Sequence, residues 1–174
     1  MLLLSGRLGR EIWGEEARQA EALVQELGYL PLALELAAAQ VEDGLSWGVL
    51  LEDIQGEVAR LKTLDRPGAR DVVDEASLKR LSLTASLNLS LKRLEPETRE
   101  GFIWLGILPE DVNITQGMTA VLWDMDDERD ARDELGYLRS KALLLDGVAL
   151  SDGKKSYRLH DLFHDLARNL LSAP

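Results

Sequence analysis

His160 and His164 are the only two histidines in the chain, and they lie four residues apart in the segment YRLHDLFHDLARNLL. The spacing H-x-x-x-H is how zinc enzymes place two metal ligands on one helix face. Those sites need a glutamate after the first histidine as a base, but the shorter Asp161 stands there, and no His, Asp or Glu follows Asp165. We therefore expect no metal site and no catalytic residue in this segment.

The same segment has a simpler structural interpretation. Asp161 is a typical helix N-cap residue, whose carboxylate would accept a hydrogen bond from the backbone of residue 163 or 164. His160 would then lie just before the final helix, and His164 would be a half-exposed helix residue. The apolar stripe that would bury this helix comprises Leu162, Phe163, Leu166, Ala167, Leu170 and Leu171.

Composition limits the classes of function that the chain can serve. The 174 residues are 45% hydrophobic, which is enough for a core, and they carry a formal net charge of −11. An acidic protein lacks the lysine and arginine excess that binds nucleic acids or anionic lipids, so we expect neither as a partner. The absence of cysteine agrees with a reducing compartment, and no apolar run is long enough to span a membrane. We expect a cytoplasmic protein.

Apolar residues at spacings of three and four predict a succession of helices. Gly28 is placed to end the helix 15–27, and Pro31 is placed to begin the next. The four tryptophans fall on apolar helix faces and are predicted to pack into the core. The predicted helices cover 15–27, 31–42, 47–61, 77–94, 96–108, 115–124, 127–143 and the segment from Leu162 onward.

Short alternating runs at 143–150 and 155–159, separated by the turn sequence SDGKK, predict a β-hairpin before the last helix. Helices followed by a hairpin are the order of a winged-helix domain. The segment KTLDRPGARDVVDE is rich in Pro, Gly and charge and predicts a linker. We therefore predict a mainly α fold, a helical bundle followed by a winged-helix domain with a small hairpin, divided as 1–66 (helical subdomain), 67–76 (linker) and 77–174 (winged helix).

Two motifs carry a family resemblance. LGYLPLALELAAAQV (27–41) resembles the GLPLAL motif in the helical subdomain of NB-ARC signalling NTPases, also called STAND proteins. The region from Phe102 to Asp146, followed by YRLHDLFHDLA, is similar to their winged-helix subdomain and its MHD motif. The likeness is closest to the apoptotic protease-activating factor family and its bacterial relatives, with plant disease-resistance proteins further away. Two residues depart from the usual pattern. Tyr29 stands where glycine or a leucine-like residue is common, and Leu159 stands where methionine is common.

The resemblance implies a molecular switch. In that class, ADP is held between a P-loop nucleotide-binding domain, the helical subdomain and the winged helix; exchange for ATP releases the winged helix and permits oligomerisation. By resemblance, Pro31 packs on the adenine and His160 contacts the β-phosphate. The implied partners are the P-loop domain of the same parent chain, its sensor repeats and further copies of the parent.

The chain has no G-x-x-x-x-G-K-[ST] segment and thus no P-loop to cradle phosphates. We expect no ATP hydrolysis by this chain alone and no tight binding of ADP or ATP to it. Its first residues resemble the beginning of the helical subdomain, so we expect a fragment of a longer receptor. The alternative function is a winged-helix DNA-binding transcription regulator, which would use its third helix and the wing-tip lysines Lys154 and Lys155.

Overall fold

A computed structural model describes residues 2–65 and 74–172, and within them the fold is mainly helical with one small antiparallel sheet. The predicted mainly α class is therefore confirmed. The chain forms two compact units, Met1–Arg93 and Leu94–Pro174. No helix among the described residues is both long and apolar enough to cross a membrane.

Among the described residues, the first unit contains five helices around one apolar core, which includes Leu23, Leu27, Leu50 and Ile54, all fully buried. The spacing of the leucines and alanines in α2 predicts its apolar face, and Ala20, Leu23 and Val24 on that face are buried. The helices are α1 (Leu2–Leu8), α2 (Gly14–Glu26), α3 (Pro31–Glu42), α4 (Trp47–Asp65) and α5 (Glu75–Lys92).

The connection between α2 and α3 is a tight turn with two left-handed residues. Gly28 and Tyr29 have φ values of 60° and 59°. The Gly28 amide donates to Gln25 O at 3.0 Å and the Tyr29 amide donates to Val24 O at 3.1 Å, which is the hydrogen-bond pattern of a Schellman C-cap. Pro31 then occupies the first position of α3, as predicted.

The helix α5 packs against α3 and α4, and its buried residues include three serines beside Ala85, Leu87 and Leu91. Ser86 and Ser90 bond back to the carbonyl oxygens of Ser82 and Ser86 at 2.8 and 3.0 Å. Gln40 of α3 donates to Ser90 Oγ at 3.1 Å. Short side chains that satisfy their hydroxyl groups within their own helix let α5 approach its neighbours closely.

This packing places the boundary between the compact units after Arg93, whereas the sequence predicts that residues from 77 onward belong with the winged helix. Residues 67–73 of the predicted linker, 67–76, lie outside the described residues. Its last part belongs to α5, because Asp74 caps that helix by accepting from the Ser77 amide at 2.8 Å.

A buried carboxylate joins α4 to α5. Glu57 is 5% exposed. It accepts hydrogen bonds from Arg60 at 2.9 Å, from Asn88 at 3.0 Å and from Lys92 at 3.0 Å. Because each oxygen has charged or polar donors, the carboxylate can be buried as an anion.

The second unit begins with α6 (Pro96–Trp104) and a 3-10 helix (Leu105–Ile107) and continues with α7 (Gln116–Leu122) and α8 (Glu128–Ser140). Side chains cap the latter two helices: Thr115 Oγ1 accepts from the Met118 amide, and Asp127 Oδ1 accepts from the Arg129 amide. The strands β1 (Leu145–Asp146) and β2 (Tyr157–Arg158) and the helix α9 (Asp161–Leu171) complete the unit.

The predicted β-hairpin is confirmed, but its paired part is short. Leu145 lies opposite Arg158, and Asp146 lies opposite Tyr157. On the other side of β2, Ile114 exchanges two backbone hydrogen bonds with Tyr157, at 2.7 and 2.9 Å. Ile114, two residues before α7, is thus attached to the second strand of the hairpin.

The helix α9 packs directly on the 3-10 helix. Phe163 and Ala167 on its inner face are buried. A Cβ atom at Gly106 would lie 2.7 Å from the Arg168 amide nitrogen and 2.8 Å from Ala167 Cβ, so only glycine permits this approach. The inner face of α9 is therefore held against the 3-10 helix. This contact fixes the rotation of α9 about its axis, and so the orientation of its first residue.

The prediction that all four tryptophans pack into the core is wrong for two of them. Trp47 is 2% exposed, but Trp13 is 78% exposed and Trp104 is 42% exposed. Trp13 precedes the first turn of α2, outside the helical repeat that would bury it. Trp104 ends α6 on a face that another described element covers only in part.

Candidate functional site

His160 lies at the junction between β2 and α9, two residues after the strand ends. It is the N-cap of α9, because its backbone is extended and its carbonyl oxygen accepts from the amides of Phe163 and His164 at 2.8 and 2.9 Å. Its ring Nδ1 also accepts from the Leu162 amide at 3.3 Å. The predicted position of His160, just before the helix, is confirmed.

The prediction that Asp161 caps the final helix is wrong. Asp161 is the first residue of α9, and it is exposed. The helix begins at Asp161, one residue earlier than the sequence predicts, so the capping position falls on the histidine. A carboxylate in the first turn still favours the helix, since it faces the positive end of the helix dipole.

The cap determines which ring nitrogen of His160 is a donor. Because Nδ1 accepts from the Leu162 amide, the proton of the neutral ring is on Nε2. No described residue accepts a hydrogen bond from Nε2. The ring is half-buried and contacts Phe163 with a centroid distance of 5.8 Å, which limits its rotation. His160 thus presents one N–H donor in a fixed direction.

His164 has a structural environment, and the prediction of a half-exposed residue is wrong. It is 3% exposed, and its Nε2 lies 2.7 Å from the carbonyl oxygen of Leu108. The loop after the 3-10 helix folds over this face of α9, a contact that the periodicity of α9 alone does not reveal.

The two histidines do not form a paired metal site, because His160 precedes the helix and His164 is hydrogen-bonded inside the unit. One group of possible ligands occurs among the described residues: single atoms of Glu110, His164 and Asp165 lie within 4.8 Å of one another. His164 Nδ1 is buried without a hydrogen-bond partner and is 4.0 Å from Glu110 Oε1. Since this nitrogen is shielded from solvent, we interpret His164 as a packing residue, and the absence of a metal stays a prediction.

Pro31, the predicted adenine-contacting residue, is exposed at the first position of α3. No side chain caps this helix, and its first turn contains no acidic residue. The amides of the first turn therefore lack a side-chain acceptor, and the positive end of the helix dipole is not compensated locally. An apolar ring beside such a helix start suits a ligand that has both a flat apolar part and an acceptor.

Tyr29, which departs from the motif pattern, is a surface residue. Its side chain is 66% exposed, two residues before Pro31. It also lines an open groove of about 410 Å³, with Gly28, Val58, Lys62 and Leu78 among the other lining residues. The signal in the sequence was an aromatic residue in a turn, where burial cannot explain its presence.

Pro31 and His160 lie in different compact units. Pro31 offers an apolar ring beside an uncapped helix start, and His160 offers an N–H donor. An apolar ring and a hydrogen-bond donor are groups that can contact a ligand.

Comparisons with known proteins found two distant similarities. The chain is 30% identical to the regulatory protein AfsR of Streptomyces griseus over 161 residues, which is 92% of this chain. It is 28% identical to the disease resistance protein RGA2 of Solanum bulbocastanum over 104 residues, which is 53% of this chain. No protein-family model matches the chain.

The chain spans only 15% of the length of the first relative and 10% of the length of the second. The similarities are to a bacterial regulator and to a plant resistance protein, the two kinds of relative that the motif resemblance predicts beside the apoptotic factors. These similarities support the interpretation that the chain is part of a signalling regulator.

Proposed function

We propose that this chain is the regulatory lid of a nucleotide-switched signalling ATPase of the NB-ARC class. In the longer protein, the P-loop domain would hold ADP, and this chain would add one contact from each unit. Pro31 would pack on the adenine, and His160 would donate to the β-phosphate. The chain itself would not hydrolyse ATP, because its sequence contains no P-loop.

The observation that carries the proposal is the geometry of His160. A residue that only capped α9 could be serine, threonine, asparagine or aspartate, the side chains that helices prefer at that position. Histidine caps through Nδ1 and keeps Nε2–H available for an external acceptor. A phosphate oxygen is such an acceptor, and a hydrogen bond to an ionised group is stronger than a neutral one.

The order of elements in the second unit also supports the proposal. It runs from α6 through Ile114, α7 and α8 to the hairpin, and Ile114 pairs with the second hairpin strand. This pairing supports the winged-helix fold that the resemblance implies. His160 follows that second strand directly, where the resemblance expects the MHD motif.

The alternative function, DNA binding, has less support. The first turn of α8 contains Glu128 and Asp130, which would face phosphates unfavourably. Lys154 lies 3.4 Å from Glu128, and Arg132 pairs with Asp133. The basic groups on this side are therefore partly neutralised by their own neighbours.

Two measurements test the proposal. Calorimetry of the chain by itself should detect only weak ADP binding, because most phosphate contacts would come from the P-loop domain. In the longer protein, Pro31→Ala should speed ADP release. Sub-micromolar affinity of the isolated chain for ADP would contradict the division of contacts between the domains.

A matched control separates an adenine contact from helix stability. Pro96 is also exposed at the first position of its helix, so Pro96→Ala removes the same ring from an equivalent site. Both substitutions should change stability by similar amounts. If both variants release ADP at the wild-type rate, the proposed role of Pro31 is wrong.

A further inference from the structure

A second surface of the chain has chemical features that the proposed contacts with ADP do not involve. It is an open groove of about 510 Å³ in the second unit, which we name the tryptophan groove. Its volume is within the range of small-ligand and peptide pockets. The groove is formed by the exposed side of α6, the end of α7 and one residue of α8, and it is lined by Glu97, Thr98, Glu100, Gly101, Trp104, Leu122, Trp123, Asp124, Met125 and Glu134.

The floor of the groove is apolar and held in place. Trp123 Nε1 donates to the Gly101 carbonyl at 3.0 Å, and a Cβ atom at Gly101 would lie only 3.2 Å from the indole ring. The indole of Trp123 is thus packed onto the backbone of α6. Trp104, 42% exposed, offers a second indole from the end of that helix.

The rim of the groove carries charge of a single sign. Four of the ten lining residues are acidic, namely Glu97, Glu100, Asp124 and Glu134, and none is basic. Glu97, Glu100 and Asp124 are exposed, so a cationic side chain in the groove can reach their carboxylates.

We propose that the tryptophan groove binds an arginine-bearing segment of a partner protein. An arginine side chain fits this combination because its planar guanidinium stacks on an indole face and donates in a fork to carboxylates. Leucine-like side chains beside the arginine would contact Leu122 and Met125. A neutral apolar segment would leave the four carboxylates without compensation, and a purely polar cation would leave the indoles exposed.

The test uses the whole chain and a fluorescently labelled, capped peptide that alternates leucine with arginine, with binding followed by anisotropy. Two control peptides share its length: one replaces arginine with uncharged citrulline, and the other replaces leucine with serine. The leucine–arginine peptide should bind and both controls should bind more weakly. Equal binding of the citrulline peptide would overturn the proposal.

Protein variants locate the binding to the groove. Trp104→Ala should weaken binding by about fivefold or more, since it removes a cation–π contact together with apolar area. Glu134→Gln and Glu100→Gln should also weaken it, whereas the surface controls Trp13→Ala and Glu21→Gln, both in the first unit, should not. Unchanged affinity in Trp104→Ala, or self-association that protects Trp104 and excludes the peptide, would show that no such partner segment is bound.

Discussion

His164 Nε2 lies 2.7 Å from the carbonyl oxygen of Leu108, and this hydrogen bond attaches the last helix to the loop after the 3-10 helix. It lies inside the second unit, where the histidine is 3% exposed. His160, one turn earlier, presents a ring nitrogen that no described residue uses. Two histidines in one short motif thus have different roles, one in packing and one at the surface.

The first prediction is that His164→Ala destabilises the chain by about 2–4 kcal/mol, because it leaves a cavity and an unpaired carbonyl oxygen. His164→Phe keeps most of the volume and should cost less, about 1–3 kcal/mol, from the unpaired oxygen alone. Urea unfolding followed by circular dichroism measures both. Asp165→Ala, at the exposed neighbouring residue, serves as the control and should stay within about 0.5 kcal/mol of the wild type.

The second prediction concerns acid stability. Hydrogen bonds from Arg60, and then from Lys92 and Asn88, lower the pKa of Glu57 from 4.5 to about 2, despite the opposing effect of burial. Since the folded pKa is depressed, this stabilisation is complete above pH 4.5 and is lost as the pH falls towards 2. Its size is on the order of 2 kcal/mol, because Arg60 and Lys92 are partly exposed and screened.

Glu57→Gln should therefore lower stability at pH 7 and make it less dependent on pH below 4.5. Glu16, whose pKa is also lowered to about 2, mainly by Arg10 and then by Trp47, titrates in the same range, so some pH dependence should remain. Glu52→Gln, an exposed change on the same helix, is the control. An acid limb that is identical in Glu57→Gln and the wild type would contradict the assigned role.

The helices could be predicted from the sequence because the spacing of their apolar residues agrees with the proline and glycine residues at their ends. Pro31, Gly28 and Pro96 mark helix ends where the structure has them. The grouping of the helices could not be predicted, since the Pro- and Gly-rich stretch before α5 predicts a domain boundary there, whereas the compact units divide after Arg93. The buried face of α5 consists largely of serine and alanine, and such a face gives no strong apolar period to show where it packs.

The sequence predicts that His160 lies directly before the final helix, but it does not predict the local contacts of His160 and His164. A preference for aspartate at helix starts favoured Asp161 as the cap, whereas the backbone places His160 there. The burial of His164 depends on a loop 56 residues away in the chain, which helical periodicity cannot report. Tertiary contacts of this kind override local preference.

The third prediction explains an unusual residue in the turn before α3. Tyr29 has a φ of 59°, a conformation that glycine adopts without strain and that costs other residues about 1 kcal/mol. Because its side chain is mostly exposed, Tyr29→Gly should raise stability by up to about 1 kcal/mol. Tyr29→Ala keeps the Cβ atom and should give no such gain. If Ala stabilises as much as Gly, strain in the turn is not the cause.

The fourth prediction separates the two roles of His160. In the chain by itself, His160→Ala removes the N-cap of α9 and should cost about 1 kcal/mol, whereas His160→Ser keeps a capping oxygen and should cost little. Thermal unfolding of the two variants measures this difference. This difference in stability reports on the cap alone, because the unfolding is measured without nucleotide present.

In the longer protein the two variants should behave alike, because neither retains the Nε2–H donor that the proposed ADP contact requires. A hydrogen bond to a charged phosphate contributes about 1.5–3 kcal/mol, so both should release ADP about ten- to a hundredfold faster and signal more in the resting state. Labelled-ADP release and basal output are the measurements. If His160→Ser restores both stability and the wild-type rate of ADP release, then His160 acts only as a cap, and the contact with the phosphate does not exist.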